Sequence, residues 1–264
     1  MTDQQSALNY MSYLAVDELL ELQRPVSEGP EHDEMLFIVI HQVYELWFKQ
    51  ILYEIDALQI ALEAGEGFSA YAKLNRIKQI FSVCIKQIDV LVTMTPLQFG
   101  AFRDRLESAS GFQSAQFREL EAVLGRRDKN FAEHLLPKDR ARVHKRMSEP
   151  SLWDSMLKFV DRSGYPIPGE ILNRDFTEHY QSREEVRLAL LDLHRSNNEI
   201  INICEQLVDI EVSLKEWRYR HVMMVERTIG TKPGSGGSSG AGYLNATLGS
   251  PRSFPELWEI RARF

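Results

Sequence analysis

The sequence predicts an all-α protein, and three observations carry that expectation. Apolar residues recur at helical spacing along nearly the whole chain, no alternating run is long enough for a strand, and prolines and glycines fall where helices should start or stop. The first 30 residues read as an N-terminal arm. From about Asp33 to Ala64 the pattern is apolar nearly all round in its first half, which predicts a helix packed on several sides through the middle of the domain. Its most apolar stretch, Met35 to Leu52, is interrupted by His41, Gln42, Glu45, Lys49 and Gln50, so it reads as a buried helix rather than a membrane span.

A second helix is marked by Tyr71, Leu74, Ile77, Ile80, Cys84, Ile88 and Leu91, with Pro96 beyond its end. Shorter helices are expected at about 97–107 and 113–124, separated by Ser110-Gly111, and between Pro150 and Gly164. The stretch 126–148 is charged and poorly periodic and is expected on the surface. The longest pattern runs from about Arg183 to Gly230. Within it Ile200, Ile203, Leu207, Ile210, Leu214, Trp217 and His221 follow a 3,4 spacing, a helix seam with a histidine at its end. Gly230 and Pro233 stop it, and the segment GTKPGSGGSSGAGY follows. No internal repeat is visible, so residues 1–264 are expected to form a single helical-bundle domain whose arm is residues 1–30.

With 264 residues, 44% of them hydrophobic, the chain can bury a substantial core. Its formal charge of -7 gives no electrostatic reason for a nucleic-acid partner. The start, MTDQQSALNY, lacks the basic and apolar regions of an export signal, and no membrane span is expected. Cys84 and Cys204 are far apart inside helical patterns, which favours small core residues in a reducing, cytoplasmic setting over a disulfide framework.

Two of the seven histidines occupy apolar helix faces. His41 shares its face with Phe37, Tyr44 and Phe48, and His221 ends the seam described above. Each taken alone reads first as a core histidine with a hydrogen-bond partner; together, on separate helices, they suit a cofactor held inside a bundle. Arg103, beside Phe99 and Phe102 in QFGAFRDRL, reads either as a surface ion-pair partner or as a fork for a carboxylate. His32-Asp33-Glu34 carries a His-x-Glu element, but acidic residues are ordinary at a helix start. The glycine-rich segment lacks the Lys-Ser/Thr ending of a phosphate loop. It is followed by a tail too short to fold alone, which points to a loop that closes over a ligand with its tail docked back.

The strings HDEMLFIVIHQVYELWFKQILYEIDAL, FRDRLESASGFQSAQFREL, WRYRHVMMVERTIG and KPGSGGSSGAGYL strongly resemble the tryptophan 2,3-dioxygenase family. The likeness runs from about Asn9 to the C-terminus and is weakest at about 126–180. The resemblance implies a helical protein carrying haem b, usually a homotetramer, that uses O2 to open the indole 2,3 bond of L-tryptophan. The product is N-formylkynurenine, at the head of the kynurenine pathway of tryptophan catabolism. It implies that His221 is the axial iron ligand and His41 the distal residue that hydrogen-bonds the indole N–H.

By the same matching, Arg103 binds the substrate carboxylate and Phe37, Phe99 and Phe102 line the indole pocket. Ser235 stands where the family commonly has a threonine against the polar end of the substrate. Tyr10, Tyr13 and Leu14 match an arm that reaches a neighbouring subunit's site. The alternative is a haem monooxygenase of the same superfamily, which converts tryptophan or a methylated tryptophan to an oxindole on the same framework.

Overall fold

The computed structural model describes residues 8–196, 199–235 and 239–264, apart from the side chain of Tyr243. Every regular element among them is helical, as the periodicity predicts. The arm holds two short helices, α1 (Tyr10–Leu14) and α2 (Val16–Leu20), separated by Ala15 in the left-handed conformation at φ 48°. Its large apolar side chains face outward, Tyr10 being 72% and Tyr13 71% exposed. The arm is nevertheless tied down. The buried carboxylate of Glu34 accepts the backbone N–H groups of Val26 (2.7 Å) and Ser27 (3.0 Å), and the Gln42 amide donates to Leu22 O (3.0 Å). Glu34 therefore clamps the arm and does more than favour a helix start.

The central layer is α3 (His32–Ala64), α4 (Gly67–Leu91) and a long helix α11 (Ile200–Ile229). Gly65, at φ 81°, ends α3 in the left-handed region that a side chain would strain, and lets α4 fold straight back along it. Ile51, Leu58 and Leu62 of α3, Leu74, Ile77 and Phe81 of α4, and Leu207 and Ile210 of α11 are essentially inaccessible. Each such burial stabilises the fold by roughly 1.5–3 kcal/mol relative to exposure. That apolar seam therefore sets where every other side chain on these helices points.

Around this layer lie α5 (Pro96–Arg103), α6 (Ala115–Val123), α7 (Pro137–Met147), α8 (Leu152–Arg162), α9 (Gly169–Leu172) and α10 (Glu184–Arg195). The tail carries α12 (Ala241–Leu248) and α13 (Pro255–Glu259). The tail docks back on the bundle as expected. Phe254 is fully buried against Trp153 of α8, and the indole N–H of Trp258 donates to the buried carboxylate of Glu211 on α11 (2.9 Å). Cys84 and Cys204 are free and buried.

One expectation about the fold is corrected. The pattern from Arg183 to Gly230 is two helices, not one. It breaks after Arg195, where Ser196 turns its hydroxyl back onto Leu193 O (2.7 Å), and serine and asparagine favour such caps over helix interiors. The stretch 126–148 lies mostly at the surface, as expected, but it is more ordered than its pattern suggests. It contains α7 and a small separate core of Phe131, Ala132, Leu135 and Val143, pinned by the buried guanidinium of Arg127, which donates to Phe176 O (2.6 Å) and Glu149 O (3.0 Å). A cluster this small leaves too few apolar residues for a visible period. Among the described residues no single helix is long and apolar enough to cross a membrane.

Candidate functional site

A cavity of about 250 Å³ lies between α3, α11, the 94–121 region and the loop that follows α11. Among the described residues its walls come from two stretches, 37–121 and 217–247, and none between 122 and 216 reaches it. Phe37, His41, Tyr44 and Phe48, the α3 face read from the sequence, all line it, and so does His221 across the space. The two apolar-face histidines thus open on one cavity.

His41 is oriented by its own helix. Its Nδ1 lies 2.7 Å from Phe37 O, an acceptor, so Nδ1 carries the proton and the other ring nitrogen, Nε2, keeps its lone pair. Burial pushes the imidazole pKa below its ordinary value, against the opposing pull of the Phe37 carbonyl and the Glu45 carboxylate. His41 is therefore neutral at neutral pH.

His221 is pushed down further, to about 4, mainly by burial and then by the nearby His41. Trp217, one turn earlier on α11, stacks on it with ring centroids 5.4 Å apart and planes within 8°. Among the described residues nothing hydrogen-bonds to its ring. The result is a neutral imidazole, held flat by a neighbour, with a lone pair free for a metal. No three His, Cys, Asp or Glu side chains converge among the described residues, so a metal there would have to bring its other ligands with it. Iron in a porphyrin does so, and a single neutral imidazole in an apolar cavity is a donor set that suits it.

The aromatic side of the cavity is layered. Phe37 and Phe99 line it, whereas Phe102 is fully buried behind them at centroid distances of 5.6 and 5.4 Å. Phe102 backs the wall instead of forming it, a correction to its expected place. Arg103 lines the cavity and one of its terminal nitrogens donates to Pro233 O of the glycine-rich loop. Ser235 of the same loop donates its hydroxyl to Ala109 O (2.7 Å) and also lines the cavity. Residues 236–238 of that loop lie outside the described residues. Gly240, at φ 61°, passes so close to Lys232 that a β-carbon would sit 2.6 Å from its carbonyl oxygen, so here glycine is required by close approach. Tyr10, Tyr13 and Leu14 are exposed on the arm and take no part in the cavity of their own chain. His32 is exposed as well, and Glu34 is committed to the arm.

Sequence reasoning does not single out three features of the site. The turn at Ser110, Gly111 and Phe112 lines the cavity, Trp217 orients His221, and a buried charged group of Arg118, Glu121 and Arg218 forms part of the wall. Both arginines stand in strings already noted, FREL and WRYRH, but an arginine among charged neighbours reads by default as solvated.

A family model described as Tryptophan 2,3-dioxygenase matches residues 1–144 and 194–264. The segment it omits, 145–193, overlaps most of the weak region expected at about 126–180 but starts and ends later, and it lies wholly outside the cavity. A protein of Herpetosiphon aurantiacus named Tryptophan 2,3-dioxygenase is 53% identical over 258 residues, covering 97% of this chain and 98% of the relative. Proteins of the same name from Anaeromyxobacter sp. (strain K) and Bacillus thuringiensis (strain Al Hakam) are 52% and 41% identical, covering 97% and 99% of this chain and 96% and 95% of theirs.

Proposed function

Because the chain belongs to the tryptophan 2,3-dioxygenase family, its activity is the 2,3-dioxygenation of tryptophan, and we propose that this takes place in the cavity between His41 and His221. The family is haem-dependent, and the proposed cofactor is one haem b per subunit with His221 as its axial ligand. Dioxygen is the co-substrate, L-tryptophan or a close analogue the substrate, and N-formylkynurenine the product. When bound, the ferrous haem supplies the centre at which dioxygen is activated. Everything else is the work of this chain's own side chains.

The observation that carries the reading is the pair of neutral imidazoles facing one apolar cavity. His221 offers a lone pair to iron. His41, its Nδ1–H spent on Phe37 O, offers Nε2 as an acceptor for the one polar hydrogen of indole. Phe37 and Phe99 supply the flat apolar walls an indole needs, with Phe102 holding both in place. Arg103 keeps further N–H donors beyond the one given to Pro233 O, and a planar guanidinium matches both oxygens of a carboxylate. Ser235 sits beside it on the loop, where a hydroxyl can meet the polar end of the amino acid. Fixing the substrate at both ends makes the reaction effectively intramolecular.

The exposed apolar face of the arm, Tyr10, Tyr13 and Leu14, supports its insertion against the cavity of a neighbouring subunit in a homo-oligomer, with a tetramer as the expected assembly. Residues 1–264 then act as one domain with an arm at 1–30. Two free buried cysteines favour a cytoplasmic setting. Incubating the ferrous protein with L-tryptophan and isotopically labelled dioxygen tests the proposal. Two labelled atoms in a ring-opened product are expected, and one labelled atom in an intact oxindole would overturn it in favour of the monooxygenase.

A further inference from the structure

We propose that His134 is a positioning residue for the substrate: from behind the cavity it holds the turn 109–112 on which Ser235 is seated, an inference that rests on the cavity reading above. His134 lies in the charged stretch before α7, where no period singles it out. Its neighbours Ala132 and Leu135 belong to the small core built with Phe131 and Val143, and their burial fixes the backbone that carries the ring.

From there the half-buried ring reaches the turn in two ways. Its Nε2 lies 2.7 Å from Phe112 O, and its plane lies against the Phe112 ring with centroids 3.7 Å apart and a tilt of 31°. A carbonyl oxygen only accepts, so Nε2 carries a proton and donates it. Burial pushes the imidazole pKa below its ordinary value, against the pull of the Phe112 carbonyl; the charges of Arg118 and Arg140 push it down as well, and Glu121 opposes them. A guanidinium nitrogen of Arg118 also points at Phe112 O, but at 3.4 Å, so His134 supplies the shorter contact.

What His134 holds is a short piece of irregular chain. Ala109, Ser110, Gly111 and Phe112 line the cavity, whereas His134 stands outside it. The turn closes on itself through Gln113 N to Ser110 O (2.9 Å), Ser114 N to Gly111 O (3.1 Å) and the Ser110 hydroxyl, which accepts the Phe112 N–H (3.3 Å). Its first residue, Ala109, offers the carbonyl that accepts the Ser235 hydroxyl (2.7 Å). A shift at Phe112 is therefore carried over three residues to the seat of Ser235, and His134 ties that seat to the small core behind it. The route ends at the polar end of the proposed substrate and leaves His41 and His221 on their own helices.

The test measures steady-state kinetics with tryptophan, and the Soret band, on the haem-loaded enzyme and its variants. His134→Leu should raise KM about two- to tenfold, the cost of one hydrogen bond, with kcat and the Soret band as in wild type. A merely destabilised protein would lose active molecules and hence kcat instead. His134→Gln, whose amide can donate to the same oxygen, should recover most of the loss. In Ser235→Ala the seat is already empty, so adding His134→Leu should raise KM no further. Purely additive losses overturn the proposal, as do an unchanged KM in His134→Leu and a loss of kcat or haem at constant KM. If His134→Leu does not fold by circular dichroism, His134→Phe, which keeps a flat ring against Phe112 and lacks the donor, is judged by the same criteria. Absence of tryptophan turnover in wild type would take down the cavity reading and this inference with it, whereas every other outcome bears on His134 alone.

Discussion

The two walls of the cavity hold their polar groups by different means. His41 and His221 stand on α3 and α11, helices of 33 and 30 residues whose apolar seams are buried against α4. Arg103 sits at the last residue of the eight-residue α5, and Ser235 lies on irregular chain. Among the described residues that side of the cavity is tied by hydrogen bonds from Arg103 to Pro233 O and from Ser235 to Ala109 O. Moving a histidine would mean repacking a core, whereas among the described residues the Ser235 side chain is held by one neutral hydrogen bond. The helix wall is built for a fixed geometry, and the described part of the loop wall is held by lighter, local contacts.

That contrast predicts a gradient of effects, largest at the helix wall. His221→Ala removes the only imidazole facing the cavity opposite His41, and stable haem binding should be lost together with all turnover. A normal Soret spectrum in the variant would break the assignment. His41→Ala should keep haem and lower kcat about a hundredfold, because a misplaced substrate costs on the order of 10² in rate. Loss of haem instead would make His41 structural.

His41 also carries a pH signature. Its pKa is held below 6.5 by burial, so the neutral form persists to lower pH than in a free imidazole. As pH falls through that lowered value, Nε2 gains a proton and stops accepting. Activity should therefore drop on the acid side, below pH 6.5, and the drop should be absent in His41→Gln, whose side-chain oxygen accepts at any pH. An acid limb unchanged in His41→Gln would assign it to another group.

The same contrast explains what could be read from the sequence. Helix-borne residues announce themselves: the 3,4 seam ending at His221 and the 4,3,4 steps around His41 place both histidines inward, and the structure puts both at the cavity. Arg103 has no such signal, because a residue at the end of a short helix shares no long apolar period, and only the family strings assign it a role. Phe102 shows the limit of matching strings, since it stands one helical step from Phe99 yet is buried behind the wall. Arg118 and Arg218 stay hidden because charge balance depends on which acids fold next to them, and Glu121 serves both only in three dimensions. The break at Ser196 is legible in hindsight from its cap-forming residues, although the apolar period alone runs straight through it.

At the loop wall the effects should be smaller and should fall on KM. Arg103→Leu removes a charge-assisted contact worth roughly 1.5–3 kcal/mol, so KM for tryptophan should rise about tenfold to a hundredfold. Haem binding should be unchanged and affinity for the carboxylate-free tryptamine nearly so. Equal losses for tryptophan and tryptamine would show that Arg103 serves to hold Pro233 and the loop, and the carboxylate fork would have to be given up.

The smallest effect is also the sharpest probe of the contrast. Ser235→Ala deletes one neutral hydrogen bond to Ala109 O, worth about 0.5–1.5 kcal/mol, and should raise KM by about two- to tenfold. Ser235→Thr keeps the hydroxyl of this half-buried position and should leave affinity near wild type. The decisive comparison is with a helix-wall substitution of similar size. Tyr44→Phe deletes a single hydrogen bond as well, from the buried hydroxyl to Cys84 O (2.9 Å), but inside the packed core. If the two walls differ as described, Tyr44→Phe should lower thermal stability and leave the KM for tryptophan within twofold, whereas Ser235→Ala should do the reverse. Equal shifts in both quantities for both variants would mean that the loop is as rigid a part of the site as the helices.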